Sequence, residues 1–308
     1  MDAAMVQNGP PYPSVTAALG LTPNTSVDVP ICCVFLVLYL IAAASHMTIF
    51  QINRIRKHKF IPNAATFGFC MARSLTCALR ISWAYNLDNV QLAIAAAIFA
   101  NAGVLVLFVL LLIFAQRCLR AAFPKLGWSR LVHYIFIGAY ILVPCMLVML
   151  IVPSIYMHYT LSTSSLDASR DALLVGLTYL SFFSFLPLAI TITLAVLPRA
   201  SNSENFGTGS WAAKLWIVGI SSFLLCLGEV FRTAVNFMPE RLASDPYSFE
   251  DRACFYIFYF TVEIIVVYTF LFTRIDKRFW IPNGSKGTYS AGSLEEELSS
   301  ELGKPEAV

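Results

Sequence analysis

Seven stretches of the chain are predominantly apolar over the length a helix needs to cross a bilayer. They run approximately over 29–52, 61–85, 90–116, 131–157, 171–197, 212–238 and 253–273. A hydrocarbon core of about 30 Å takes about 20 helical residues, and each stretch reaches that length. The first, third, fourth and fifth hold no Asp, Glu, Lys or Arg between their ends. Charges interrupt the second, sixth and seventh, yet each is too apolar for a surface helix. The apolar residues run on rather than alternate, which excludes barrel strands. In lipid the backbone must satisfy its own hydrogen bonds, which leaves helices. The pattern therefore predicts an all-α fold, a polytopic membrane bundle of seven transmembrane helices. Pro144 and Pro153 in the fourth stretch, and Pro187 in the fifth, predict kinks.

The segments between these stretches differ in charge. Arg54, Arg56, Lys57 and Lys59 fall in the first loop, and Arg117, Arg120, Lys125 and Arg130 in the third. Arg199 and Lys214 mark the fifth, and Arg274, Lys277 and Arg278 follow the seventh stretch. The alternate loops are poor in basic residues: none in 86–89, Arg170 in the fourth, Arg241 and Arg252 in the sixth. Basic loops stay cytoplasmic. With seven crossings, the N-terminus is predicted outside and the C-terminus in the cytoplasm. Residues 1–28 then form a polar outer or luminal segment, 29–282 the transmembrane domain, and 283–308 a disordered cytoplasmic tail rich in Gly, Ser and Glu. No basic start followed by a short apolar run precedes Val29, so no cleavable leader is expected. Asn24-Thr25-Ser26 is a glycosylation sequon on the predicted outer side, close to the first stretch.

Composition agrees with lipid as the solvent. Hydrophobic residues make up 58% of the chain and charged residues 13%, with a mean hydropathy of +0.70, whereas a soluble domain is about a quarter charged. The net charge of +3 is too small to argue for nucleic acid. Most of the eight cysteines lie in or beside apolar runs, where thiols behave as small hydrophobes. A Cys33–Cys254 bridge is conceivable, and Cys118, at the expected cytoplasmic edge, is open to two readings: an inert thiol or an acylation site.

The most informative residues are charges within the apolar stretches: Arg73 and Arg80 in the second, Glu229 and Arg232 in the sixth, Glu263 in the seventh. Each costs at least ~2.5–3.5 kcal/mol at the bilayer centre, so partners or a wet cavity are required. Arg73 and Arg80 share one helical face, with Arg80 about 10 Å further out at 1.5 Å per residue. Matching depths pairs Arg73 with Glu263 and Arg80 with Glu229, and leaves Arg232 to share Glu229 or meet water. The second, sixth and seventh helices would then converge on one polar cluster, which Asn101 could join; His46 is a weaker candidate. Two readings stay open. The ions hold the bundle in register, or they line a cavity for a polar head group, an ion or a proton. The aromatic run Phe255-Tyr256-Ile257-Phe258-Tyr259-Phe260 is expected to face lipid at the interface.

Several activities lack their residues. The seventh stretch has no lysine for a retinal Schiff base, and the third ends in Ala115-Gln116-Arg117-Cys118 rather than Asp-Arg-Tyr. No hydrolase, zinc-protease or phosphate-loop motif occurs, and the four histidines have no metal-site spacing. Neither an enzyme nor a cofactor or metal is expected.

Arg80-Ile81-Ser82-Trp83-Ala84, Ala102-Gly103-Val104, Arg117, Arg120, Gly127-Trp128, Glu229-Val230-Phe231-Arg232, Phe255-Tyr256, Glu263 and Arg274-Ile275-Asp276-Lys277-Arg278-Phe279 together resemble a fungal family of seven-helix membrane proteins of unknown function. That resemblance spans roughly residues 30–282 and implies a membrane location. A more distant one, to the RTA-like family of lipid-translocating exporters, implies seven helices with Arg and Glu in the later ones. Buried charge and this likeness lead to a transporter-like protein that handles a lipid or amphiphile, with membrane lipids and an amphiphilic small molecule as partners. The alternatives are a receptor-like signalling protein whose basic loops meet an unknown cytoplasmic partner, and a structural membrane protein without a ligand. The plasma membrane and an internal membrane are both open.

Overall fold

The computed structural model describes residues 9–56, 58–282 and Tyr289. Apart from Tyr289, the expected tail 283–308 lies outside the described residues. Among the described residues the fold is all-α, and an isolated antiparallel bridge between Thr16 and Leu242 is its only strand-like pairing.

Seven long helices follow the apolar stretches: α1 Asp28–Ile55, α2 Ile61–Tyr85, α3 Val90–Ala122, α4 Arg130–Tyr156, α5 Thr163–Val196, α6 Trp211–Phe237 and α7 Arg252–Phe272. All except α2 are long and apolar enough to cross a membrane. At 25 residues, α2 is about 37 Å long, and Arg73 and Arg80 make it the less apolar one. Local chemistry sets several starts. The side chains of Asn89, Ser129 and Ser210 accept the amides of Leu92, Val132 and Ala213 at the heads of α3, α4 and α6. Pro62 opens α2, where its missing N–H costs nothing. α4 and α5 run on through Pro144, Pro153 and Pro187 without a break.

Consecutive helices pack side by side, and α7 returns against α1 and α6 to close the bundle. The second half of α3, Leu105–Ala122, sits at the centre and touches α2, α5 and α6. Its Leu107, Phe108, Leu111, Leu112, Phe114 and Ala115 are all fully buried. Phe114 anchors an aromatic cluster with Phe60, Phe270 and Phe279, at ring separations of 6.3, 5.7 and 4.7 Å. Lipid-facing sides carry large exposed apolar residues such as Leu131, Ile135, Val196, Trp216 and Phe272, as expected where hydrocarbon is the solvent.

The N-terminal segment is more than a polar leader outside the bundle. Ala17 N–H donates to the Arg241 carbonyl (2.8 Å), Ala243 N–H to the Val15 carbonyl (3.0 Å) and Gly20 N–H to the Glu250 carbonyl (2.8 Å). Gly20 has φ +88°, and a Cβ there would stand 2.6 Å from the Phe255 ring. Only glycine satisfies both constraints. At the opposite end, Arg274 adopts φ +52° and turns the chain after α7. Its guanidinium pairs with Asp276 at 2.9 and 3.0 Å, and Asn53 of α1 donates to the same carboxylate at 3.0 Å.

Two expectations about the thiols are decided by the fold. Cys33 and Cys254 are free, one exposed and one half-buried, so no bridge joins them. Cys118 is 1% exposed, packed in the bundle beyond the reach of acylation.

Burial works to raise the Asp276 carboxyl, but the hydrogen bonds from Arg274 and Asn53 outweigh it and hold the group below its ordinary range. A depressed carboxyl stabilises the fold above its unfolded pKa of ~3.9 and loses that contribution as pH falls through the lower folded value. Asp276→Asn should therefore lower the melting temperature in detergent at neutral pH, with a deficit that shrinks on acidification below about pH 4. A pH-independent deficit would show that the carboxylate charge is not what holds this turn.

Candidate functional site

Glu263 sits fully buried on α7 and gathers two arginines from two other helices. Arg73 of α2 grips it with both edges of its guanidinium, Nε to Oε2 at 2.5 Å and Nη2 to Oε1 at 2.6 Å. Arg232 of α6 donates Nη2 to the same Oε1 at 2.7 Å. Such bidentate, charge-assisted contacts are the strong class of hydrogen bond. The fourth member, Glu229, lies a helical turn from Arg232 and makes a single contact to its Nη1 at 3.4 Å. Two arginines and two glutamates balance in formal charge.

Two irregularities in the helices satisfy the remaining guanidinium donors. α3 breaks at Gly103-Val104, the two residues whose amides would bond the Phe99 and Ala100 carbonyls in an unbroken helix. Those carbonyls accept Arg73 Nη1 instead, at 3.3 and 2.7 Å. The guanidinium lies so close to Gly103 that a Cβ there would sit 3.5 Å from its central carbon. α7 contains a π-helical turn over Tyr256–Thr261, in which Val262 N–H reaches back five residues to the Ile257 carbonyl. That leaves the Phe258 carbonyl to accept Arg232 Nη2 at 2.9 Å. π-turns of this kind cluster at functional sites. The Tyr259 ring lies under the Arg232 guanidinium at 3.9 Å, a cation–π contact, and its hydroxyl donates to Asn101 Oδ1 at 3.0 Å. Arg232 Nε is buried without a partner among the described residues.

Arg80 belongs elsewhere. The depth-matched pairing with Glu229 does not occur, because Asp28 at the first residue of α1 takes Arg80 at 2.8 and 3.0 Å. Asp28 also accepts Arg252 Nε at 3.0 Å and the Tyr256 hydroxyl at 2.6 Å. Arg80 Nη2 donates to the Gly20 carbonyl at 2.6 Å, which ties the N-terminal segment down. Asp28 was the residue sequence reasoning missed, assigned to the polar segment just outside the first helix. Its signal was available as a lone carboxylate abutting an apolar run. His46 joins neither cluster; its Nε2 meets the Val267 carbonyl at 3.3 Å. Asn24 is exposed, with its Oδ1 accepting the Ser26 amide and hydroxyl at 2.8 Å each.

The aromatic run of α7 also departs from expectation. Phe255, Tyr256, Tyr259 and Phe260 are each at most 5% exposed, so this stripe faces the bundle interior rather than lipid. Its tyrosine hydroxyls have polar partners there, which lipid would not supply.

A cavity of about 290 Å³ opens between the two ion clusters on the N-terminal face. Arg80, Asn101, Tyr259 and Asn236 contribute its polar groups, Trp83, Met157, Leu173 and Leu174 its apolar wall, and Thr16–Leu19 its roof. A side chamber of about 90 Å³ shares Ala97, Asn101, Leu173 and Asn236 with it. At the rim Arg170 and Glu240 stand 3.6 Å apart. The carboxylates and guanidinia around this space already have partners, which suits an uncharged or zwitterionic polar group with an apolar body.

A family model described as a protein of unknown function (DUF3112) matches residues 210–280, the stretch that holds α6, α7 and the turn after it. That agrees with the resemblance to an uncharacterised family. No curated protein matches the chain, and no solved structure matches it. The apolar helices make the chain an integral, multi-pass membrane protein.

Removing Glu263 leaves Arg73 with no carboxylate and Arg232 with only its 3.4 Å contact to Glu229, whereas removing Glu229 leaves both arginines on Glu263. Glu263→Gln should cost about 3–5 kcal/mol of stability, and Glu229→Gln about 1 kcal/mol or less. Unfolding in detergent measures both. Equal losses would place the centre of the network wrongly.

Proposed function

We propose that the chain crosses the membrane seven times, with its N-terminus outside and its C-terminus in the cytoplasm, and handles a lipid-like or amphiphilic small molecule in the N-terminal-face cavity. The carrying observation is the placement of Asn101 and Tyr259. They line that cavity and touch the buried network through the Arg232 cation–π contact. A ligand that rearranges the Tyr259–Asn101 bond therefore acts on three helices at once. α2 supplies the seventh crossing, since its length suffices and both of its arginines are neutralised. The alternation of basic loops supports the orientation. The reading is of a transport-type protein, as the distant RTA-like resemblance also suggests.

This reading shifts the site from the ions to the space beside them. The charges act as the frame of the cavity rather than as a polar path through the membrane. The receptor-like alternative draws on the π-turn, which links cavity-lining Tyr259 to Glu263 within one segment of α7. Against it, two basic residues of the third loop are engaged inside the fold. Arg117 donates to the Phe279 carbonyl, and Arg120 lies 4.3 Å over the Trp128 ring.

Uptake of fluorescent short-chain lipids by cells with and without the protein tests the reading. Ala97, exposed and shared by both chambers, is the site at which to fill them. Ala97→Phe should abolish the protein-dependent uptake while abundance stays unchanged, and Asn101→Ala should reduce it. Equal uptake with and without the protein would contradict the transport role. Antibody access to terminal tags before and after permeabilisation tests the orientation separately: the N-terminal tag should be reached in intact cells, or from the lumen in sealed vesicles, and the C-terminal tag should not.

A further inference from the structure

A second, larger concavity lies on the opposite half of the bundle, between α5 and α6, and the proposed function does not use it. Its volume is about 770 Å³, and its walls are almost wholly apolar, with Leu188, Ile192 and Ala195 on α5 facing Leu215, Ile220 and Phe223 on α6. Gly219 keeps the floor low: a Cβ there would touch the Thr191 methyl at 3.4 Å. The groove opens outward, since Ile192, Trp216, Ile220 and Phe223 are each about half exposed or more. In a membrane, that opening faces lipid tails.

Its length and its ends identify the occupant. From Leu188 to the helix end at Val196 the α5 wall rises about 12 Å, and the non-helical residues to Arg199 lengthen it toward the half-thickness, about 15 Å, of a ~30 Å hydrocarbon core. The groove therefore spans one leaflet, with a single polar end. That end holds Arg199 and Trp211, the guanidinium 4.3 Å above the indole ring. Arg199 Nη2 donates to the Glu204 carbonyl (3.1 Å) and Asn205 Oδ1 (3.3 Å), while Nε is buried with no partner among the described residues. Lys214 and Arg278 lie within electrostatic reach of each other, and Arg199 is within reach of Lys214. Among the described residues one acid lies in this region, Glu204, whose Oε2 accepts the Tyr289 amide at 2.6 Å, so the basic side chains Arg199, Lys214 and Arg278 outnumber it. A positive end above an apolar trough is complementary to an anionic phospholipid, and clustered basic residues at an inter-helix pocket are the usual recognition device for such head groups. Arginine suits a phosphate because its fork offers two donors to one anion.

We infer that the α5–α6 groove is a binding site for one anionic phospholipid of the leaflet on the C-terminal side, with an acyl chain in the trough and its phosphate on Arg199. The site is separate from the N-terminal-face cavity, and either can exist without the other.

Trp211 and Trp216 line the groove and report on it directly. The protein is reconstituted in nanodiscs of mixed phosphatidylcholine and phosphatidylglycerol, with bromine placed on the tails of one lipid or the other. Bromine on phosphatidylglycerol should quench tryptophan fluorescence about fivefold more per mole than bromine on phosphatidylcholine. Arg199→Gln should remove the excess, Arg199→Lys should keep part of it, and Trp216→Phe should remove most of the signal that carries it. Gly219→Leu, which fills the trough and leaves the cation intact, should also remove it, and serves if Arg199→Gln does not fold. Equal quenching by the two lipids would overturn the inference, as would an excess that survives both Arg199→Gln and Gly219→Leu. Uptake activity is not part of this readout, so failure here leaves the cavity reading untouched.

Discussion

One carboxylate organises the middle of this bundle. Glu263 is fully buried on α7 and accepts three short hydrogen bonds from Arg73 and Arg232, so α2, α6 and α7 meet at a point. In a low-dielectric interior no member of this set can be left alone, because an unpaired buried ion costs far more than a paired one. The helices must then deform to finish the job. The break at Gly103-Val104 and the π-turn at Tyr256–Thr261 each free carbonyls, and each freed carbonyl receives an arginine donor. Ion pair and backbone irregularity are parts of one arrangement.

That arrangement bears on function through its neutrality. Two arginines and two glutamates balance in formal charge, so the network places no net charge beneath the cavity. The charged groups that line the cavity, Arg80 and the rim pair Arg170–Glu240 among them, already have partners, so the remaining polar contacts fall to the uncharged Asn101, Asn236 and Tyr259. The outer cluster at Asp28 does different work. It ties Arg80, Arg252 and Tyr256 together and holds the Gly20 carbonyl, which fixes the segment that roofs the cavity. One cluster shapes the floor and the other the cover. The π-turn of α7 lies between them, with Tyr256 reaching Asp28 and Tyr259 reaching Asn101.

Much of this was legible in the sequence, for a physical reason. Lipid leaves few alternatives to a long apolar helix, so the seven stretches located the helices to within a few residues, apart from earlier starts such as that of α5 and the longer run of α3. Depth arithmetic on those helices placed Arg73 opposite Glu263, because rise per residue is fixed. The same arithmetic misplaced Arg80. It considered only charges within the stretches, and Asp28 begins α1 just outside the first of them. The aromatic run of α7 was read as interfacial from composition alone. Composition does not reveal a π-turn, which rotates the following side chains, or the polar partners waiting at Asp28 and Asn101. The break in α3 left one mark, Gly103, and a glycine in a membrane helix has many meanings. Nothing in the chain's one-dimensional pattern placed the N-terminal segment as a roof, since its hydrogen bonds run to the loop between α6 and α7.

The claim that a Glu263-centred network determines how these helices meet is most directly tested by a double-mutant cycle. Arg73→Met, Glu263→Met and the pair together, unfolded reversibly in bicelles, give the coupling energy between the two side chains. A coupling of about 2–3 kcal/mol is expected, with the double variant more stable than either single one. A coupling indistinguishable from zero, with losses that simply add, would contradict it.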